Sequence, residues 1–352
     1  MTRVLLSICI PTHDGRAQSL GRALDSVLPQ IGRELEGQVE VCISDNASLD
    51  GTAEMVARHQ RRVGKIIAYH RNDYDLGSVP NLLTVIERAR GEFCWFLGSD
   101  DTVGPDAVAE VVGLLTMFPD IAGATLNRTR IDYRWPTQED IDPPRELPDE
   151  PTSQHLYTSS GDIFRNLALN HDYMSTQVVN RQIWLEALAS TEREAVTRTL
   201  LGQMLVIGLM IKRCPRWVWH PKTLVVHRMG TSVLAEDVDH DYGGYALKIM
   251  DERSYVWSVL FGKGTPLYRT AMRKAYWRTA NPYILTRSKL EAGQTLGRDM
   301  RLLVGLVRHF YWLREFWEES FPVLVKPHLQ LKLARAFRDL RTRVGTWAAA
   351  RR

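Results

Sequence analysis

Residues 91–106 read GEFCWFLGSDDTVGPD, and this stretch decides the fold. The run from Phe93 to Leu97 is apolar and aromatic, stops at Gly98, and is followed by two adjacent aspartates, Asp100 and Asp101. A run of that length ending in Gly-Ser-Asp-Asp reads as a buried strand and its C-terminal end. Two carboxylates at the end of a buried strand are costly unless positive charge sits beside them. A divalent cation with oxygen ligands, itself bound to a phosphate, supplies that charge. The alternative is a solvated turn that caps a helix starting near Pro105, an end that favours aspartate. On this stretch alone both readings stand.

Working outward, the same grammar repeats on the N-terminal side. Val4 to Ile10 is a strand-like run, Pro11 to Gly15 a loop, and Ala17 to Val27 carries Leu20, Leu24 and Val27 at helical spacing. Val39 to Ile43 predicts a second strand, Ser44 to Thr52 a polar loop, and Ala53 to about Arg62 a helix. Ile66 to Tyr69, the polar loop Arg71 to Gly77, and a helix over Val79 to Arg90 complete the series before Phe93. Alternation of this kind predicts an α/β fold, a mostly parallel sheet covered by helices. In such sheets the loops after successive strands collect at one edge, where ligands bind. Asp45, Arg71, Asn72 and Asp100 each follow a strand, so they converge although they are far apart in sequence. Carboxylates for a ribose or base edge, an arginine for phosphate and an aspartate pair for a metal fit a nucleotide. GxGxxG and GxxxxGK[ST] are both missing, which argues against a dinucleotide fold or a P-loop.

On the C-terminal side a helix runs from Asp106 to about Met117, and Ala122 to Leu126 is apolar again. Residues 136–151, rich in proline and acid, read as a loop or lid. Further expectations are a short helix after Ser160, a strand over Met174 to Val179, helices over Ile183 to Leu188 and Val196 to Lys212, and strand pieces at Trp217 to His220 and Leu224 to His227. From about Asp239 the chain reads as helical and rich in Arg, Trp, Tyr and Leu, with helices over Tyr245 to Leu260, Tyr268 to Thr279 and Met300 to Phe316. The expected division is therefore 1–235, split into a nucleotide-binding half (1–110) and an acceptor half (111–235), followed by a helical region, 236–352. Basic amphipathic helices with aromatic residues suit an anionic membrane surface. The competing reading is packing on the first domain or on a second copy of the chain in a homo-oligomer, with solvated basic faces.

Composition bounds the partners. The 352 residues are 44% hydrophobic and 24% charged, with a net charge of +4, which argues against a dedicated nucleic-acid binder. The four cysteines lack metal-ligand spacing, and Cys9, Cys42 and Cys94 sit in apolar strand-like runs, as core residues of a reducing compartment do. The first apolar run is too short for a secretory signal, and no stretch has the apolar length of a membrane span. The expected location is cytoplasmic, either free or peripheral at the inner face of the cell membrane.

Four segments together resemble the nucleotide-sugar-binding half of family 2 glycosyltransferases, which have the GT-A fold. They are Ser7-Ile8-Cys9-Ile10-Pro11-Thr12-His13, Leu24 to Gln30, Glu40 to Thr52 with its Ser44-Asp45-Asn46-Ala47-Ser48 core, and Leu97-Gly98-Ser99-Asp100-Asp101. The third and fourth resemble a subgroup that includes abequosyltransferase-like enzymes of bacterial surface polysaccharides.

The resemblance implies a metal-dependent inverting transferase that takes a nucleotide-diphosphate sugar as donor and a glycan or lipid-linked glycan as acceptor. It implies that Pro11, Thr12 and His13 line the base and ribose and that Asp45 binds the base edge. It implies that Arg71 sits near the base or phosphates with Asn81 behind it, and that Asp100 and Asp101 hold Mg2+ or Mn2+ against the diphosphate. Gly98 departs from the pattern, since the family has an aspartate there. His227 or Arg228 matches a late metal-ligand histidine or phosphate-binding basic residue; the bland reading is a surface histidine beside an arginine. The family's general base lies in a Glu-Asp pair that this chain lacks, so Asp172, Glu192 and Glu194 are its candidates. For each, a charge favoured at a helix start is the competing reading. A nucleotidyltransferase would need a glycine- and basic-rich loop where Pro11 to Arg16 stands. The missing first aspartate and missing Glu-Asp pair would also suit a non-catalytic assembly protein.

Overall fold

The computed structural model describes residues 3–132, 141–142, 151–229, 242–281 and 296–324. Four parallel strands, β1 (Leu6–Thr12), β2 (Val39–Asp45), β3 (Ile67–Arg71) and β4 (Phe93–Phe96), alternate with α1 (Ala17–Val27), α2 (Thr52–Val63) and α3 (Ser78–Arg88). β1 lies between β2 and β4, in the order β3-β2-β1-β4. Parallel strands need a crossover between them, and the helices supply it. One face of these strands, with Leu6, Ile8, Ile10, Val41, Ile43, Phe93 and Trp95, packs on α1, α2 and α4 (Ala107–Met117). The alternate residues face the other way, where Phe96 meets Trp184 of α6 (Arg181–Ala189) edge to face at 5.2 Å.

Beyond β4 the sheet becomes mixed. A two-residue strand, β5 (Thr102–Val103), leads into α4, and β6 (Gly123–Asp132) follows. β9 (Gln177–Asn180) inserts antiparallel between β4 and β6, and the long β10 (Trp217–Met229) lies parallel to β6 and antiparallel to β5. β8 (His155–Tyr157) adds to β10. Within the expected loop 136–151, Ile141–Asp142 form β7 on β6, and residues 136–140 and 143–150 lie outside the described residues. The two expected strand pieces at 217–227 are the single strand β10, irregular in register around Pro221.

Two other expectations change. The apolar run Val196–Lys212 is not one helix but α7 (Arg193–Thr197) and α8 (Gly202–Arg213). A Cβ on Gly202 would lie 2.5 Å from the Val196 carbonyl and 2.6 Å from a Val79 methyl, so the chain turns where only glycine fits. The expected strand from Met174 begins at Gln177, because Met174–Thr176 form a tight 3-10 turn. The short helix expected here is α5 (Ser160–Leu167), which includes Ser160 and has Ser159 at its N-terminal end.

The chain divides into two compact units, Met1–Ala235 with Tyr255–Ala271, and Glu236–Ser254 with Met272–Arg352. The C-terminal helices are α9 (Tyr242–Phe261), α10 (Pro266–Ala275) and α11 (Leu296–Phe310). α11 stops at Phe310, and a separate π-helical turn spans Phe316–Ser320. Inside the second unit Tyr276 packs on Phe310 and Phe316, and His309 pairs with Asp251 at 2.9 Å. No helix among the described residues is long and apolar enough to cross a membrane.

Candidate active site

The end of β4 carries the expected aspartates. Asp101 is 3% exposed, and its Oδ2 accepts hydrogen bonds from the hydroxyls of Tyr173 and Ser175, the latter at 2.5 Å. Ser175 Oγ in turn accepts from the Gly98 amide at 2.9 Å, and Trp95 Nε1 donates to the Ser175 carbonyl at 2.8 Å. Asp100 is partly exposed, and Arg16 Nη1 donates to its Oδ2 at 3.1 Å. A Cβ on Gly98 would lie 2.9 Å from Asp100 Oδ1, 3.1 Å from Asp101 Oδ2 and 3.3 Å from Ser175 Oγ. The two carboxylates thus converge on the space beside Gly98, and a side chain there would displace them.

Tyr173 and Ser175 belong to a segment held from several sides. Gln203 Nε2 of α8 donates to the Asp172 carbonyl at 3.0 Å, and Gln177 Nε2 to the Asn170 carbonyl at 2.8 Å. Burial, and then the Asp101 charge, raise the Tyr173 hydroxyl well above its ordinary pKa, so it stays protonated and donates. The Arg128 guanidinium lies 3.7 Å from the Tyr173 ring centroid, and the His227 ring centroid is 4.5 Å away from it. Tyr173 therefore links Asp101 to β6 and β10.

The ends of β1, β2 and β3 form the adjoining wall. Asp45 is fully buried; its Oδ1 accepts from the Ser48 amide at 3.0 Å and hydroxyl at 2.5 Å, and its Oδ2 from Tyr69 at 2.5 Å. Burial and the Asp45 carboxylate raise Tyr69 above its usual range. Arg71 donates to the Ala47 and Ser48 carbonyls at 3.1 Å each, clasping a turn in which Ala47 takes a left-handed φ of 62°. Asn81, at 3% exposed, donates to the Thr12 carbonyl at 2.9 Å and the Ser44 carbonyl at 3.1 Å, and accepts from Ser44 Oγ at 2.7 Å. It ties β1 to β2 at the site edge. Pro11 and Thr12 close β1, with Thr12 buried. His13 Nδ1 donates to the Asp14 carbonyl at 2.9 Å, so Nε2 is the acceptor for Arg16 Nε at 3.3 Å.

The remaining candidates divide. Asp172 adjoins Tyr173 and is half-buried. Glu192 and Glu194 are exposed at the start of α7, and between them Arg193 pairs with Glu87 at 2.8 Å, near the C-terminal end of α3. The N-terminal end of α3, not that end, adjoins the strand ends that carry Asp45 and Arg71, and an eleven-residue helix separates the two ends by about 15 Å. Arg228 lies in β10, and its side chain is outside the described residues. Among the described residues no three His, Cys, Asp or Glu side chains form a ready metal shell. Asp100, Asp101 and His227 therefore do not make one; the aspartate pair offers two hard oxygen donors, which fits a cation that completes its shell with phosphate and water.

Arg16, Arg128, Tyr173 and Ser175 were not among the sequence candidates. Tyr173 and Ser175 reach Asp101 across 72 and 74 residues, a pairing no local pattern announces.

Residues 7–185, half of the chain, match the model of glycosyl transferase family 2. The chain belongs to that family. An abequosyltransferase, RfbV, of Salmonella typhimurium is 32% identical over 189 residues, 51% of this chain and 54% of the relative. A chondroitin synthase of Escherichia coli is 32% identical over 104 residues, 30% of this chain and 14% of that one. The match thus spans about half the length of the first relative and less of the second. Among solved structures, the mannosyltransferase PcManGT of Pyrobaculum calidifontis, in complex with GDP-Man and Mn2+, superposes with a TM-score of 0.54 at 15% identity, over 93% of this chain and 87% of that one. S. aureus TarS 1-349 in complex with UDP-GlcNAc superposes with a TM-score of 0.51 at 13% identity, over 90% and 92%. These likenesses establish the GT-A type fold for the family 2 domain, with a helical region following it.

Proposed function

We propose that the family 2 domain transfers a sugar, with inversion, from a nucleoside-diphosphate sugar to a hydroxyl of a glycan or lipid-linked glycan. The observation that carries this reading is the convergence of the Asp100 and Asp101 carboxylates beside Gly98, at the sheet edge where the β1, β2 and β3 loops meet. GDP-Man with Mn2+ in one fold relative and UDP-GlcNAc in another support the donor class. An abequosyltransferase and a chondroitin synthase among the sequence relatives support a glycan product.

In this reading the acceptor oxygen attacks the anomeric carbon as the bond from that carbon to the phosphate oxygen breaks. The electron pair leaves with the nucleoside diphosphate, and the acceptor proton passes to a carboxylate. Asp172 is the assigned base, because it adjoins Tyr173 while Glu192 and Glu194 flank the Arg193–Glu87 pair. Asp100 and Asp101 would hold Mg2+ or Mn2+, which would neutralise the charge growing on the leaving diphosphate. Tyr173 and Ser175 fix the Asp101 carboxylate, so its orientation is set before the donor arrives. Arg71, Asp45 and Asn81 shape the base-binding wall.

A calorimetric screen against UDP-, GDP- and dTDP-sugars with Mn2+ tests the reading. One donor is expected to bind, with binding lost in Asp101→Ala. No response from any donor, or a response unchanged in Asp100→Ala and Asp101→Ala, would sink it.

The second unit exposes Trp277, Val304, Tyr311 and Trp317, with Arg301 and Arg308 also exposed on α11. This composition supports contact with an anionic membrane surface that carries a lipid-linked acceptor. Co-sedimentation with phosphatidylglycerol vesicles, weakened by salt, is the expected behaviour; pelleting equal to that with neutral vesicles would contradict it.

A further inference from the structure

We propose that Arg16 is a built-in counter-ion for Asp100: it yields that carboxylate to the divalent cation when the donor arrives, and then turns to the diphosphate. The proposal rests on the reading of the site given under Proposed function. Arginine is mostly a surface residue, yet the Arg16 side chain is 10% exposed, against 22% for Asp100. Nη1 holds Asp100 Oδ2 while Nε is steered by His13 Nε2. The backbone on either side is tied to the loop after β2. The Leu49 amide donates to Asp14 Oδ1 at 2.6 Å, and the Ala17 amide to Asp50 Oδ2 at 3.0 Å. Arg16 is therefore pre-positioned over the aspartate and not draped on it from solvent.

Charge balance gives this arrangement a consequence. Among the described residues, the Arg16 guanidinium offsets part of the charge of the two carboxylates beside Gly98, and Arg128 on the Tyr173 ring adds further positive field. A divalent cation that takes Asp100 Oδ2 takes the oxygen that Arg16 holds, and it turns the local charge positive. The diphosphate restores the balance and offers the displaced guanidinium a bidentate phosphate partner. Metal alone should then bind weakly, and metal with nucleoside diphosphate strongly, with Arg16 as a source of that coupling.

The test is Mn2+ binding to the full chain, followed by the electron paramagnetic resonance of free Mn2+, alone and with UDP, GDP or dTDP. In Arg16→Gln, Mn2+ alone is expected to bind about tenfold tighter than in the wild type, while the nucleoside diphosphate in the presence of Mn2+ binds about fivefold or more weakly. Should Arg16→Gln fail to fold, Arg16→Lys carries the test: losing the planar fork loosens Asp100, and Mn2+ alone binds about threefold tighter. Unchanged or weaker binding of Mn2+ alone in the folded variant, with wild-type nucleotide binding intact, overturns the role of Arg16 and leaves the donor site standing. A wild-type chain that binds neither Mn2+ nor any of the three nucleotides overturns both.

Discussion

Single side chains at the site are set by burial more than by local sequence. His171 illustrates this one residue from Asp172, the proposed base. It is 2% exposed, its ring stands edge to face with Trp217 at 5.3 Å, and burial pushes its pKa down to about 3. The unfolded chain takes up the proton below about pH 6.5, whereas the native chain refuses it until about pH 3, so stability falls as pH drops through that window. Urea denaturation at pH 7 and pH 5 should show a loss of about 2 kcal/mol in the wild type from this group, and a smaller loss in His171→Gln. Tyr173 gives a second prediction at this scale. Tyr173→Phe removes one of the hydroxyl donors to Asp101 but leaves the ring against Arg128 and His227. Metal-supported nucleotide binding should weaken about tenfold, and the buried Asp101 carboxylate, one donor short, should lower stability by about 2 kcal/mol, as calorimetry and a denaturation curve would show.

Elements were legible where their signals are local. The strand ending at Gly98, helix α1 over Ala17–Val27 and the strand–loop–helix alternation follow from periodicity and turn residues, so the sheet edge with Asp45, Arg71 and Asp100 could be read directly. What resisted reading depends on contacts between distant segments. Apolar periodicity runs through the break between α7 and α8, because its cause is the approach of Val79 and Val196 to Gly202. Antiparallel β9 between β4 and β6 likewise has no marker in its own four residues. Two glycines separate fold from site. A Cβ on Gly123 would lie 2.5 Å from both the Trp217 ring and the Val178 carbonyl in the middle of the sheet, so Gly123→Ala should cost about 3 kcal/mol or prevent folding. Gly98→Ala meets carboxylate and hydroxyl tips that can shift, so it should fold yet lose metal-supported nucleotide binding. Asn81→Ala cuts the links from β1 to β2 and should cost about 2–4 kcal/mol by chemical denaturation.

At the scale of the molecule, each side chain assigned to the donor comes from residues 11–175, within the matched family 2 region and within one compact unit. The parallel half of the sheet supplies the wall proposed for the base and the aspartates. The mixed half supplies what holds the aspartates in place: Tyr173 and Ser175 just before β9, Arg128 on β6 and His227 on β10. The missing aspartate at Gly98 thus belongs to a tighter arrangement, in which hydroxyl donors and Arg16 occupy the surroundings of the two carboxylates. The central claim is that this pair anchors the donor diphosphate through a divalent cation. Anomalous diffraction at the manganese edge, from crystals grown with Mn2+ and a bound nucleoside diphosphate, tests it most directly. The account predicts one anomalous peak in contact with carboxylate oxygens of Asp100 and Asp101 and with the diphosphate. A diphosphate bound at this sheet edge with no peak beside Asp100 or Asp101 would contradict it.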